Sequence, residues 1–148
     1  MTVGEDRKRL FSAVAKDFGK LDIIFANAGI GGRTATGATE EAAFENTIRT
    51  NLNGAFFAVN SAASLLNEGT SVIFNGSVHN YSWPAWQCRL CATKGDLVSM
   101  ARVIAADLAP RKICVNVVAP GRRGLRSRNA AHASLPLPRS PQNPEPKD

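Results

Sequence analysis

At 148 residues with 44% hydrophobic content, the chain has material for one ordinary core and not for two independent ones. No uninterrupted apolar run approaches the roughly 20 residues that span a bilayer, and the opening Met-Thr-Val-Gly-Glu-Asp-Arg-Lys is charged rather than signal-like; no membrane role is expected, and a cytoplasmic location is. A net charge of +6 would suggest nucleic acid if it covered a folded face, but Arg122, Arg123, Arg126, Arg128, Arg139 and Lys147 against Glu145 and Asp148 put +4 of it beyond residue 120, so no nucleic-acid partner is expected.

Over residues 5–18, Leu10, Phe11, Val14 and Phe18 recur at helical spacing with Arg7, Lys8, Arg9 and Lys16 on the other face, and Gly19 supplies the residue that ends a helix. Leu21-Asp-Ile-Ile-Phe-Ala26 is a mostly apolar run that suits a strand buried on both faces of a parallel sheet. It stops at Asn27-Ala28-Gly29. An open loop over 30–38 leads to Thr39, a candidate N-cap backed by Glu40 and Glu41. A long helical segment or a pair of helices then runs to Leu66, closed by Asn67-Glu-Gly69. A second buried strand over 70–74 leads into Asn75-Gly-Ser77. A third helix over 88–108 is stopped by Pro110, and a third strand over 113–119 ends at Pro120-Gly121.

Helix and strand in alternation with short connections predict right-handed crossovers and an α/β fold. The expected architecture is a partial Rossmann-like, doubly wound parallel sheet of three strands with flanking helices, occupying residues 1–121. Residues 122–148 lose all periodicity and, with Gly121, hold five of the eight prolines, so a disordered Pro/Arg-rich tail is expected. The abrupt change suggests a frame change or a misjoined exon after Pro120, which comparison of the genomic reading frames would test.

The order of motifs resembles the short-chain dehydrogenases/reductases over about residues 5–121. Leu21-Asp-Ile-Ile-Phe-Ala-Asn-Ala-Gly29 is similar to the family's strand followed by N-N-A-G, with Ala26 in the first position. Thr50-Asn-Leu-Asn-Gly54 resembles the segment that contributes a relay asparagine, here Asn51. Asn75-Gly-Ser77 resembles the serine strand end, and Val115-Asn-Val-Val-Ala-Pro-Gly121 the strand and turn beside the nicotinamide. Singly each motif is weak; four in order are specific. The resemblance implies an oxidoreductase acting on a small alcohol or carbonyl compound with NAD or NADP. It implies Ser77, Lys94 and Asn51 as catalytic residues, and Asn27, Ala28, Gly29, Lys94, Pro120 and Gly121 at the cofactor.

The family's chemistry also needs Y-x-x-x-K, because residues one helical turn apart face the same side and lysine's charge favours tyrosinate. Ala92-Thr93-Lys94-Gly95 supplies the lysine, but four residues before it stands Leu90. Ser77 to Leu90 matches the family's usual interval of about a dozen residues, so no shifted tyrosine fits. Tyr81, the single tyrosine, lies on the preceding loop. The chain is therefore expected to be catalytically impaired.

The family's glycine-rich phosphate turn is absent. Gly29, Gly31 and Gly32 follow the wrong strand and precede a loop rather than a helix, so pyrophosphate binding by these residues alone is not expected. The resemblance implies a first strand that would pair with 21–26 and has no counterpart among these residues, so Ile23 and Phe25 are expected on an unpaired edge. The alternative to an enzyme is an interaction subunit, homo- or hetero-oligomeric, pairing through helices 50–66 and 88–108. Cys88-x-x-Cys91 at a helix start resembles a redox pair in the wrong topology. Cys114, His79 and His132 have no ligand-like spacing, so no metal is expected.

Overall fold

In the computed structural model of the chain, residues 2–81 and 85–121 are described; the expected tail, 122–148, lies outside them. Helix α1, Gly4–Asp17, packs Phe11 against the core, while Leu10 and Phe18 of the expected apolar face are exposed. Glu5 and Asp6 at its start and Lys16 in its last turn complement the helix dipole. Its end is the expected one: Gly19 adopts φ +76°, and its N–H reaches the carbonyls of Val14 and Ala15. Strand β1, Leu21–Ala26, follows directly.

The second helical region is a pair of helices, α2 over Glu41–Ile48 and α3 over Gly54–Ala62, joined by a π-helical turn over Arg49–Asn53. The expectation for Thr39 is corrected. The residue at the N-cap is Glu40, with no side-chain cap, and Thr39 Oγ1 instead shares a 2.7 Å hydrogen bond with Thr34 Oγ1. Asn67-Glu-Gly69 does not close a helix either. After a short 3-10 turn, strand β2 runs over Leu66–Asn75. Its pairing with β1 jumps from Leu21↔Leu66 to Ile23↔Ser71, so 67–70 form a bulge, with Gly69 at φ +80°. Arg111 fixes this early exit by donating to the carbonyls of Ala63 and Leu66.

Helix α4, Cys88–Leu108, matches its expected bounds and buries Thr93, Lys94, Leu97, Ala101 and Ile104 along one stripe. A 3-10 turn at Ala109–Arg111 leads to β3, Cys114–Val118. The three strands are parallel in the order β1-β2-β3. Ile24, Ala26, Val72, Phe74, Val115 and Val117 share the face that packs against Ala55, Val59, Ala62, Leu97 and Ala101. Small residues on α3 let that helix lie close to the sheet.

The expectation of strands buried on both faces is corrected. Ile23 is 64% and Phe25 55% exposed, because among the described residues the helices cover the opposite face only. None of these helices is long and apolar enough to cross a membrane.

Candidate active site

Parallel strands bring the residues that follow them to one edge of the sheet, the edge where α/β proteins bind ligands. Here Asn27-Ala28-Gly29 follows β1, Asn75-Gly76-Ser77 follows β2, and Pro120-Gly121 follows β3. The π-helical turn carries Asn51 to the same edge. Its carboxamide pairs with the backbone of Ile30 as a second strand would, accepting from Ile30 N–H at 2.7 Å and donating to Ile30 O at 2.8 Å. The other Nδ2 hydrogen goes to Thr93 Oγ1 at 3.1 Å, and that hydroxyl donates to Leu90 O at 3.0 Å. Asn51 thus ties the loop after β1 to α4, and both its amide hydrogens are spent.

Lys94 is buried, and its ammonium donates to the backbone carbonyl of Asn75. Burial pushes its pKa below the ordinary lysine value, since the charged form loses water there. Gly29 sits against both residues: a β-carbon on it would lie 3.2 Å from Asn51 Oδ1 and 3.7 Å from Lys94 Nζ. Asn27 Oδ1 accepts from Asn75 Nδ2 at 2.6 Å, while Asn75 Oδ1 is buried without a partner. Asn51, Gly29, Lys94, Asn75 and Asn27 therefore form one cluster.

Ser77 stands two residues past the carbonyl that Lys94 holds. Its hydroxyl caps the 3-10 turn Val78–Asn80 and lies 3.1 Å from Nδ1 of His79. Gly76 N–H donates to Val118 O and Val78 N–H to Pro120 O, which seats the Pro120-Gly121 turn beside Ser77. Leu90 is in the first turn of α4, half-buried, one turn before Lys94. Tyr81 is 71% exposed.

Of the glycine cluster, Gly29 and Gly32 have close neighbours and Gly31 has none within 4 Å. Gly32 lies under Arg89, where a β-carbon would come within 2.0 Å of Nη2, and Arg89 Nη1 donates to Ala43 O at 3.1 Å. Burial, and after it the neighbouring Cys88, push the Cys91 thiol up, away from the thiolate form. Among the described residues no three His, Cys, Asp or Glu side chains gather as a metal site would need.

Sequence reasoning left three members of the site without a role. Thr93 sits inside the quoted lysine motif but signals nothing by itself. The Asn75 carbonyl is backbone and has no sequence signature. His79, two residues past Ser77, lacks ligand-like spacing and carries no other signal in the sequence.

A family profile described as enoyl-(acyl carrier protein) reductase matches residues 1–132. The chain is 37% identical over 117 residues to glucose and ribitol dehydrogenase homolog 2 of Arabidopsis thaliana, covering 79% of this chain and 40% of that protein. It is 36% identical over 118 residues to NADPH-dependent aldehyde reductase 1, chloroplastic, of the same plant, covering 79% and 41%. Among solved structures, a short-chain dehydrogenase/reductase described as glucose/ribitol dehydrogenase from Brucella melitensis superposes with a TM-score of 0.78 at 31% identity, over 81% of this chain and 51% of that one. The chain spans about two fifths of the length of these two curated relatives.

Proposed function

The chain belongs to the short-chain dehydrogenase/reductase family, and on that premise we propose that it carries the nicotinamide end of an NAD(P)-dependent site for a small alcohol or carbonyl compound, impaired because the proton-exchanging hydroxyl is absent. The observation that carries this reading is Leu90, one helical turn before the buried Lys94, where the family's chemistry needs a tyrosine. An aliphatic side chain has no proton to exchange.

The residues present fit one end of the cofactor. Lys94 gives one of its three donors to Asn75 O, which leaves donors for ribose hydroxyls. The orphaned Asn75 Oδ1 accepts one further donor, and Gly29 leaves room beside Lys94. Asn27, Ala28, Gly29, Pro120 and Gly121 would line the same end. A nicotinamide held there would supply or take the hydride, and Ser77 would polarise the substrate oxygen. Asn51 orients a water only through its Oδ1 or its main-chain carbonyl, because its amide hydrogens are committed.

The pyrophosphate end is not fitted. Gly29 and Gly32 are accounted for by Asn51, Lys94 and Arg89, and the next helix begins only at Glu41. Among the described residues no cradle of N–H groups at a helix start follows a strand directly.

The test is carbonyl-dependent oxidation of NAD(P)H over a substrate panel. Wild type should run about 10²- to 10⁴-fold below Leu90→Tyr or lower still, the span of general acid-base catalysis; turnover at an ordinary enzyme rate in the wild type contradicts the reading. A second reading, a non-enzymatic subunit docking through α4 and through α3, which covers only Gly54–Ala62 of the helix expected over 50–66, is favoured by the exposed Phe56, Phe57 and Val103 on those helices. Co-purification with an intact dehydrogenase and no turnover in Leu90→Tyr would support it.

A further inference from the structure

The Ser77 hydroxyl takes part in two contacts. It accepts the His79 backbone N–H at 3.2 Å, the ordinary cap of a short turn, and it lies 3.1 Å from the His79 ring Nδ1. The cap does not require the ring contact. That contact joins the hydroxyl to a ring whose two nitrogens can take a proton on one side and give one on the other. His79 is half-buried, so a proton it gives up can be replaced from water.

A serine and an imidazole so joined can act as an acyl-transfer nucleophile or as a proton conduit. The surrounding backbone decides between them. A nucleophile needs several free N–H groups nearby to hold an oxyanion, and those of the residues flanking Ser77 are engaged: Gly76 N–H with Phe74 O and Val118 O, Val78 N–H with Pro120 O, His79 N–H with Ser77 Oγ. A conduit needs no such groups.

Resting on the oxidoreductase reading above, we propose that His79 delivers protons through Ser77 to the substrate oxygen, standing in at lower efficiency for the hydroxyl that Leu90 lacks. In the reducing direction the carbonyl oxygen, as its carbon accepts hydride from the reduced nicotinamide, takes the Ser77 hydroxyl proton. Ser77 Oγ takes the Nδ1 proton of the imidazolium in the same motion, and water reprotonates the neutral ring. Alcohol oxidation runs these transfers in reverse. His79 acts through Ser77 and does not touch the substrate.

Two measurements on the full chain test this. The first needs no cofactor: with ¹⁵N labelling and His132→Gln, a single imidazole remains, and Ser77→Ala should shift its Nδ1 resonance and tautomer balance. An unchanged resonance overturns the proposal. The second compares turnover at a fixed, high concentration of reduced nicotinamide cofactor. His79→Asn keeps a hydrogen-bonding side chain beside Ser77 but exchanges no proton, so it should lose about 10²-fold or more relative to wild type. The same change in a Leu90→Tyr background should cost little. Unchanged turnover in His79→Asn overturns the relay. If Leu90→Tyr turns over and the wild type does not, the relay is wrong while the oxidoreductase reading stands. If neither turns over, that reading fails and the relay with it.

Discussion

Asn51 commits both its amide hydrogens to holding the fold, bridging Ile30 on one side and Thr93 on the other while 1% exposed. Removing it leaves the Ile30 amide and carbonyl unpaired, yet Ile30 is near enough to solvent for water to replace part of the loss. Asn51→Ala should therefore cost about 1–3 kcal/mol in a denaturant titration. Lys94 allows a test by pH. Its folded pKa is lowered by burial, so between that value and the unfolded one the unfolded chain binds more protons, and stability rises with pH. Compared with Lys94→Met, the wild type should gain relative stability as pH climbs toward about 10.4, the ordinary lysine value; a constant difference across that range contradicts the burial account. Asn51, Lys94 and Leu90 are singled out in the sequence only through the motifs that resemble the family's, and the structure places Asn51 and Lys94 against the same glycine, Gly29. The Asn75 carbonyl and the Ser77–His79 contact are not legible in the sequence, since one is backbone and the other depends on a 3-10 turn that no pattern announces.

At the scale of elements, α4 and β1 were readable to the residue because each has clear punctuation: Pro110 past one end of α4, Gly19 before β1. Gly19 has a positive φ, so Gly19→Ala should cost about 1 kcal/mol, measured as a lowered denaturation midpoint. The start of β2 was misread because Asn-Glu-Gly has turn composition whether it ends a helix or bulges from a strand. Only the long-range contacts distinguish the two: Arg111 on the Ala63 and Leu66 carbonyls, and Thr70 Oγ1 donating to Leu21 O at 2.8 Å. The π-helical turn was likewise invisible beyond a choice between one helix and two. It matters because it carries Asn51 to the sheet edge.

For the molecule as a whole, the sheet has one covered face and one open face among the described residues. Ile23 and Phe25 project from the open face of β1, whose outer edge pairs with no strand among the described residues. An apolar edge of this kind invites association. Ile23→Lys with Phe25→Lys, both at exposed positions, should change stability by no more than about 0.5 kcal/mol each and should reduce association seen by light scattering; unchanged association would place the contact elsewhere. The parallel topology itself was legible from the alternation of elements, but which face stayed open was not, because apolar alternation in a short strand does not reveal how many layers pack on it. The central claim, a cluster around Lys94 and Asn51 without its proton-exchanging hydroxyl, is tested most directly by the kcat ratio of Leu90→Tyr to Leu90→Phe with one carbonyl substrate at one cofactor concentration. The two variants share a ring and differ in a hydroxyl, so the ratio should be about 10² or more, and a ratio near one would contradict the account.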